Sequence, residues 1–346
     1  MRTQYFLFTL GCQYNIFESQ EIEKIFLELG IEKSAGEKSA DFILTNICSV
    51  RQKPIDRVFG KLKIWQKLKI KKPDLKIIAT GCILPRDKKK FQEKFDFIFA
   101  PGDFRALKKY LLSQIKKPVC AEFKKDYQDS GLVPIMTGCN NFCTYCAVPY
   151  TRGREKSFAK KEIIQKVKKL IRLGTKEIIL LGQNVNSYQY GFEELLEKIA
   201  KLPGNFEITF LSPHPKDTTK KLIEIIAKYP KIKKEFHLPL QSGNNRILEL
   251  MNRNYSTDDY LKLAQMIRKT ISKIRLSTDI IVGFPTETKK EFEETYKFCK
   301  KIKFAKAFVS IYSPRPGTYA EKNLKDDIPF QEKRRRWLKL DRLINK

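Results

Sequence analysis

Histidine, tryptophan and long apolar runs are scarce in this chain of 346 residues. Its two histidines are His214 and His237, so acid–base catalysis by histidine is a weak hypothesis, and His237 falls just inside a predicted strand. No apolar run approaches the ~20 residues that cross a bilayer, and no repeat or low-complexity segment interrupts the sequence. These absences leave a globular chain that is long enough for two domains.

Targeting signals are also lacking. Residues 5–12 resemble a short signal core that ends in a lipidated Cys12, but the apolar run is too short and only Arg2 supplies a positive charge before it. We therefore expect a cytoplasmic protein with no membrane partner. In that compartment the eight cysteines indicate metal binding or catalysis rather than disulfides.

Acidic residues are outnumbered by basic ones, 39 to 69, which gives a net charge of +30. Such an excess produces a positive potential that attracts nucleic acid. Many of the lysines occur in pairs along predicted helices, where they equally suit a solvated surface. The charge permits an RNA partner and does not prove one.

Three cysteines lie close together in residues 138–146. They are Cys139, Cys143 and Cys146, with the spacing C-x₃-C-x₂-C. A closed structural zinc site needs four protein ligands, and no fourth cysteine or histidine follows nearby. Three thiolates suit a cubane iron–sulfur cluster whose fourth iron is open to a small molecule. Three buried thiols, or a zinc loop with a distant fourth ligand, are the alternatives.

The first third of the chain predicts an open parallel sheet, because β-rich runs alternate with helical patterns. Strands are predicted at residues 5–10, 42–47, 76–80 and 95–99, and helices at 15–29, 53–69, 86–94 and 103–115. Cys12, Cys48 and Cys82 follow the first three strands, 36 and 34 residues apart. Since the carboxyl ends of parallel strands share one rim, we predict that these thiols converge on a second cluster with an open iron. Cys120 and Cys299 are predicted to be packing residues.

Six further strand–helix units follow the charged, turn-rich segment 116–131, where we place the domain boundary. Their strands are predicted at residues 133–136, 177–181, 206–210, 235–240, 276–282 and 307–312, and their helices at 160–173, 192–201, 217–228, 257–273 and 288–301. Six units are fewer than the eight of a closed barrel and predict a partial barrel with its site on the carboxyl rim. Polar loops on that rim suit a polar cofactor, and they include Gln183, Asn184, Gln241 and Ser242.

From about residue 5 to the end, these segments resemble the radical S-adenosylmethionine methylthiotransferases. The three-cysteine loop is the hallmark of radical S-adenosylmethionine enzymes, and residues 136–155 around it look like the methylthiotransferases. Further similar segments are CSVR (48–51), LGQNVNSY (181–188), HLPLQSG (237–243) and DIIVGFPTE (279–287). Segments 48–51 and 182–188 most resemble the branch that acts on isopentenyl-adenosine in tRNA. The branches acting on threonylcarbamoyl-adenosine and on a ribosomal-protein aspartate are the alternatives.

The resemblance implies an α/β fold in which residues 1–118 form a flavodoxin- or Rossmann-like methylthiotransferase domain and residues 130–346 a six-stranded partial barrel of the TIM type. It implies two [4Fe–4S] clusters held by six catalytic, metal-binding cysteines. One set, Cys139, Cys143 and Cys146, would present an open iron to S-adenosylmethionine. The other set would hold an auxiliary cluster that presents the sulfur to be transferred, and it consists of Cys12, Cys48 and Cys82. Contacts to S-adenosylmethionine are expected from Gln183, Asn184, Gln241 and Ser242.

The resemblance also implies the reaction and its partners. Electron transfer would cleave S-adenosylmethionine to a deoxyadenosyl radical, which abstracts the hydrogen from carbon 2 of N6-isopentenyladenosine next to the anticodon. A second S-adenosylmethionine would supply the methyl group. The expected partners are tRNA through its anticodon stem-loop, an electron donor such as flavodoxin or ferredoxin, and a sulfur donor. The chain is expected to act as a monomer.

One departure from the resemblance concerns the C-terminus. Family members usually continue into a TRAM module, a β-barrel that binds tRNA, whereas this chain stops at Lys346 after a helix containing the basic run 333–336. That helix could lead to the module or could itself touch phosphate. Smaller departures at Ile47 and at residues 83–85 leave the shape of the second cluster's pocket open. A metal-containing RNA-binding protein that has lost activity is the non-enzyme alternative, and the retained cysteine loops and rim motifs argue against it.

Overall fold

The computed structural model describes residues 3–50, 52–115 and 131–345. The chain forms two compact units, Met1–Ser130 with Tyr150–Arg152, and Gly131–Pro149 with Gly153–Lys346. Cys120, Arg51 and nearly all of the predicted boundary segment lie outside the described residues. Among the helices in the described part of the chain, none is both long and apolar enough to cross a membrane.

The first unit is a parallel sheet whose strands alternate with helices. Its strands are β1 (Gln4–Thr9), β2 (Glu32–Lys33), β3 (Phe42–Cys48), β4 (Lys76–Cys82) and β5 (Phe97–Ile98). Its helices are α1 (Gln13–Glu28), α2 (Gln52–Lys71), α3 (Pro85–Gln92) and α4 (Phe104–Gln114). Neighbouring strands are parallel, in the order β2-β1-β3-β4-β5. This is the order of flavodoxin-like sheets, and it confirms the predicted open parallel sheet.

Apolar side chains cover both faces of this sheet, and β3 and β4 are therefore buried along almost their whole length. Helix α1 buries Ile22 and Phe26 on one face, as its 3.6-residue stripe predicts, together with residues of α4. On the other face, α2 buries Val58 and Trp65 in a separate core cluster that also contains Phe91 of α3. The two layers fix the carboxyl ends of β1, β3 and β4 along one rim.

The second unit is the predicted six-stranded partial barrel. Its strands are β6 (Leu132–Pro134), β7 (Met136–Thr137), β8 (Lys156–Ser157), β9 (Glu177–Leu181), β10 (Glu207–Phe210), β11 (Glu235–His237), β12 (Arg275–Val282) and β13 (Lys306–Ile311). Six of them are parallel, in the sets β10-β9-β6 and β11-β12-β13, and a bridge between Ile208 and Ile232 joins the two sets. The short antiparallel pair β7–β8 was not predicted.

The helices of this unit alternate with its strands along the chain. They are α5 (Val148–Arg152), α6 (Lys160–Arg172), α7 (Phe192–Ala200), α8 (Lys220–Lys228), α9 (Asn245–Leu250), α10 (Thr257–Thr270), α11 (Lys289–Ile302), α12 (Tyr319–Asn323) and α13 (Phe330–Ile344). The last three residues of α5 belong to the first unit. The five predicted helices are confirmed as α6, α7, α8, α10 and α11.

Helix α13 packs against β13. Trp337 Nε1 donates to the carbonyl oxygen of Val309 at 2.8 Å. The Asn345 amide bonds the backbone N–H and C=O of Ala307 at 3.0 and 2.7 Å, so it satisfies polar groups that a neighbouring strand would otherwise pair. Two members of the basic run, Lys333 and Arg336, are buried. This helix therefore completes the unit, and a contact with phosphate remains a prediction for its exposed residues.

Candidate metal and cofactor sites

The loop triplet, defined as Cys139, Cys143 and Cys146, lies between β7 and α5. Cys139 and Cys143 are buried, and Cys146 is half-buried. The three thiols are electrostatically coupled, because Cys143 raises the pKa of both of its partners. Burial is the larger cause, and it raises the pKa of Cys146 to about 12. Without a metal the thiols of Cys139 and Cys146 are therefore protonated near neutral pH.

The start of this loop is fixed to the barrel rim by backbone hydrogen bonds. The N–H of Gly138 donates to Oε1 of Gln183 at 2.7 Å, and the N–H of Cys139 donates to the carbonyl of Gly153 at 3.2 Å. Gly138 has φ +80°, a conformation that side chains rarely adopt. The backbone of the first cysteine is thus set by a residue of the loop after β9 and by the segment after α5.

The far side of the loop is held by α9 and the turn that follows it. Thr144 Oγ1 donates to the carbonyl of Leu250 at 2.7 Å, and Asn252 Nδ2 donates to the carbonyl of Asn141 at 2.9 Å. The sequence did not predict α9, which has six residues. Its capping residue Asn244 is the local signal, since its side chain accepts the N–H of Ile247 at 3.0 Å.

A buried arginine contacts the loop triplet directly. Arg253 Nη1 donates to Sγ of Cys143 at 3.3 Å, Nη2 donates to the carbonyl of Pro239 at 3.2 Å, and Nε donates to the hydroxyl of Tyr255 at 3.0 Å. The three bonds hold the guanidinium in one orientation and place a positive charge beside a sulfur. No sequence motif predicted a role for this residue, which lies 110 positions from Cys143.

The sheet triplet, defined as Cys12, Cys48 and Cys82, lies in the first unit. Cys48 and Cys82 are directly paired at the ends of β3 and β4. A hydrogen bond from Cys82 lowers the pKa of Cys48, and that bond together with burial raises the pKa of Cys82. Cys12 precedes α1 and is near enough for its charge to oppose ionisation of Cys48. The structure therefore brings these three thiols to one rim.

Buried amides fix the position of Cys12 relative to the sheet. Asn15 Oδ1 accepts the N–H and the S–H of Cys12 at 3.2 and 3.3 Å. Asn15 Nδ2 donates to Oδ1 of Asn46 at 3.0 Å, and Asn46 Nδ2 donates back to the carbonyl of Asn15 at 2.8 Å. Both amides are fully buried. A satisfied buried network of this kind orients the start of α1 toward the ends of β3 and β4.

The sheet triplet also has a buried arginine. Arg152 Nε donates to Sγ of Cys82 at 3.1 Å, while Nη1 and Nη2 donate to the two carboxylate oxygens of Glu18 at 2.8 and 3.0 Å. The side chains of Arg152 and Glu18 are only 3% and 4% exposed. The guanidinium also lies 4.4 Å from the ring of Tyr14. Each triplet thus has one arginine N–H on a cysteine sulfur.

The four predicted cofactor contacts lie at the carboxyl ends of barrel strands. Gln183 is bonded to Gly138, as described, and Asn184 Nδ2 donates to Oδ2 of Asp217 at 2.8 Å. Gln241 is buried, with φ +72° and its backbone paired with β12. Ser242 is fully buried, and its hydroxyl lies 3.3 Å from Oγ1 of Thr295 on α11. The hydroxyl of Ser242 is thus engaged inside the protein, and its cofactor contact stays a prediction.

Oδ1 of Asn184 and Nε2 of His214 are buried on the same rim and have no hydrogen-bond partner among the described residues. His214 Nδ1 accepts the N–H of Lys216 at 3.2 Å. Its ring is therefore the tautomer with a proton on Nε2. Burial, with Arg253 and Lys216 nearby, lowers the pKa of His214 to about 2. A buried acceptor and a buried donor without partners fit a polar ligand that binds there.

Within residues 3–50, 52–115 and 131–345, no three cysteine, histidine or carboxylate side chains are grouped so that they could hold one metal ion. In a cubane each cysteine binds a different iron, so three ligands need not meet at one point.

Two family models match the chain. The Radical SAM superfamily model matches residues 133–299, and the model of Uncharacterized protein family UPF0004 matches residues 4–100. The first match includes the loop triplet, and the second includes the sheet triplet. Each triplet thus belongs to its own family module.

Curated relatives cover nearly the whole chain. The tRNA-2-methylthio-N(6)-dimethylallyladenosine synthase of Dehalococcoides mccartyi (strain CBDB1) is 40% identical over 344 residues, covering 96% of this chain and 80% of the relative. The protein of the same name from Carboxydothermus hydrogenoformans is 41% identical over 366 residues, covering 99% of this chain and 83% of the relative.

Solved structures show the same fold at low sequence identity. The radical S-adenosylmethionine methyltransferase TsrM from Kitasatospora setae matches with a TM-score of 0.68 and 12% identity, covering 93% of this chain and 77% of that one. The cobalamin-dependent radical enzyme OxsB matches with a TM-score of 0.61 and 14% identity, covering 100% and 58%. These matches confirm the predicted fold class.

Proposed function

The chain belongs to the radical S-adenosylmethionine methylthiotransferase family, and we propose that it places a methylthio group on carbon 2 of N6-isopentenyladenosine next to the tRNA anticodon. One observation carries the proposal. Each unit presents three cysteines, those of the sheet triplet at strand ends and those of the loop triplet on one loop, in a chain 40% identical to synthases of this modification. A protein that only bound RNA would need neither triplet.

In this proposal the loop triplet holds a [4Fe–4S] cluster that binds S-adenosylmethionine, and the sheet triplet holds an auxiliary [4Fe–4S] cluster. When bound, the two groups supply radical generation and the sulfur to be transferred. The protein supplies ligands, orientation and exclusion of water. The burial of Cys139, Cys143 and Cys82 supports the last of these roles.

Named residues orient the cofactor site in this proposal. Gln183 fixes the loop through Gly138, and Arg253 aligns Cys143 through its hydrogen bond to the sulfur. Asn184, whose buried Oδ1 has no partner within the described part of the chain, is the best supported of the four expected contacts to S-adenosylmethionine. We retain Gln241 and Ser242 as weaker members of that set, because both are buried and their backbone or hydroxyl groups are already engaged.

The proposed domain roles and partners follow. Residues 1–118 form the methylthiotransferase domain with the auxiliary cluster, and residues 130–346 form the radical core. The substrate is tRNA, bound through its anticodon stem-loop, and the net charge of +30 supports that partner. An electron donor such as flavodoxin or ferredoxin, a sulfur donor, a monomeric state and a cytoplasmic location belong to the same proposal.

Substrate choice is tested by nucleoside mass spectrometry with two tRNAs, one bearing isopentenyl-adenosine and one bearing threonylcarbamoyl-adenosine. The reconstituted protein is incubated anaerobically with each tRNA, S-adenosylmethionine, dithionite and sulfide. We expect the methylthio product with the isopentenyl tRNA alone. Product only from the threonylcarbamoyl tRNA would assign the chain to that branch and contradict the proposal.

A further inference from the structure

Arg152 and Glu18 form a buried ion pair that the proposed reaction does not use. The bidentate contact with Glu18 occupies both terminal nitrogens of the guanidinium, so Nε is the nitrogen that remains for Cys82. The ring of Tyr14 lies 4.4 Å from the guanidinium and further restricts it. The pair thus presents one N–H, in one orientation, to one cysteine sulfur.

The two charges of this pair act on that sulfur in opposite directions. The positive guanidinium touches Sγ of Cys82 at 3.1 Å, while the carboxylate of Glu18 lies behind it. The guanidinium stabilises negative charge on the sulfur, and the carboxylate disfavours it. Side chains that are 3% and 4% exposed are little screened by solvent, so both effects persist at physiological salt.

We propose that Arg152 and Glu18 set the reduction potential of the cluster on the sheet triplet, Arg152 raising it and Glu18 lowering it. The inference rests on the proposed function, which places a cluster on these cysteines. Hydrogen bonds to ligand sulfurs and the net charge around a cluster are two determinants of its potential. Reduction adds one electron to [4Fe–4S]²⁺ to give [4Fe–4S]⁺. A nearby positive charge stabilises the added electron, and a nearby carboxylate destabilises it.

The test is a redox titration of the full chain in which all three loop-triplet cysteines are changed to alanine. Any iron in this background belongs to the sheet triplet, and one cluster corresponds to about four irons. The potential is measured from the electron paramagnetic resonance signal of the reduced cluster during titration with dithionite and mediators. The variants are Arg152→Gln, Arg152→Lys and Glu18→Gln, and the matched control is Arg154→Gln, which removes an exposed arginine two positions away.

We expect opposite shifts from the two partners. Arg152→Gln should make the potential more negative, by on the order of tenfold in the reduction constant or about 59 mV. Glu18→Gln should make it more positive by a similar amount, because the guanidinium is then uncompensated. Arg152→Lys should fall between Arg152→Gln and the parent chain, since it keeps the charge and loses the planar fork. Arg154→Gln should leave the potential unchanged.

A purely structural role would not produce shifts of opposite sign. Unchanged potentials in fully loaded variants, or shifts of the same sign for Arg152→Gln and Glu18→Gln, would overturn the inference and leave the proposed function intact. If Arg152→Gln fails to load iron, the reduction potential of Glu18→Gln alone tests the inference, and it should be more positive than that of the parent background. Loss of iron in both variants would overturn the inference. An iron-free parent background would mean that the sheet triplet holds no cluster, and that part of the proposed function would fail with it.

Discussion

Gly138 and Gly153 differ in the space that is available for a Cβ atom. Alanine substitutions at these two positions therefore test whether the backbone at Gly138 holds the loop triplet in place. Both have positive φ, +80° and +77°. A Cβ on Gly138 would lie 2.0 Å from the carbonyl oxygen of Arg154 and 2.7 Å from that of Gly153. A Cβ on Gly153 would meet no atom within 4 Å. The Gly153→Ala variant therefore isolates backbone strain, and Gly138→Ala adds a clash between backbone segments.

The expected magnitudes follow from these contacts. Gly153 has φ +77° and ψ −164°, a region that only glycine occupies readily, so Gly153→Ala should lose about 1–3 kcal/mol. Gly138→Ala should lose about 1–3 kcal/mol more, because the clash forces the backbone to shift. The shift would also break the 2.7 Å bond between the N–H of Gly138 and Gln183 and displace Cys139. One cluster of two should then fail to assemble.

Iron analysis and urea unfolding measure the two effects separately. After anaerobic reconstitution the parent chain and Gly153→Ala should each bind about eight irons, and Gly138→Ala about four. The unfolding free energies should fall in the order parent, Gly153→Ala, Gly138→Ala. Full iron loading of Gly138→Ala, or equal destabilisation by the two substitutions, would refute the steric reasoning.

Three further predictions concern stability. Because the pKa of His214 is lowered to about 2, the unfolded chain binds a proton that the folded chain does not. The free energy of unfolding therefore decreases as the pH falls below ~6.5, by about 1.4 kcal/mol per pH unit. Urea unfolding should show a lower stability at pH 5 than at pH 7, and His214→Gln should reduce that difference. Arg336→Met should cost about 3–5 kcal/mol by leaving Glu287 buried without a countercharge. Burial raises the pKa of Glu287, so the loss of stability in Arg336→Met should be smaller in acid. Urea unfolding of the variant and the parent chain at several pH values measures this, and an equal stability of the two at neutral pH would contradict the prediction. Cys299→Ala should cost about 1 kcal/mol and leave iron content unchanged, since Cys299 is a buried core residue; a loss of iron would contradict its packing role.

The sequence predicted the regular elements because their signals are local. The six barrel strands and the strands of the first sheet are apolar runs with helical patterns between them. The missed elements are short ones, such as β2, β7 and β8 with two residues each. Two-residue pairings are determined by contacts with distant parts of the chain, and α9 is fixed in the same way by the cysteine loop.

The cysteines of the candidate site were visible for a similar reason. Their spacing along the chain, together with the strand ends, is enough to bring Cys48 and Cys82 side by side. The two arginines were not assigned a role, since Arg152 and Arg253 reach sulfurs 70 and 110 positions away. Nε2 of His214, which has no hydrogen-bond partner among the described residues, was equally hidden, because a loop histidine shows its burial only in the folded chain.

The most direct test of the central claim separates the two cysteine triplets by their products. Cys12→Ala and Cys139→Ala are each incubated anaerobically with S-adenosylmethionine, dithionite, sulfide and tRNA bearing isopentenyl-adenosine, and both deoxyadenosine and the methylthio nucleoside are measured. We predict that the parent chain makes both compounds, that Cys12→Ala makes deoxyadenosine without the methylthio product, and that Cys139→Ala makes neither. Methylthio product from either variant, or none from a parent chain with full iron loading and free deoxyadenosine, would contradict the account.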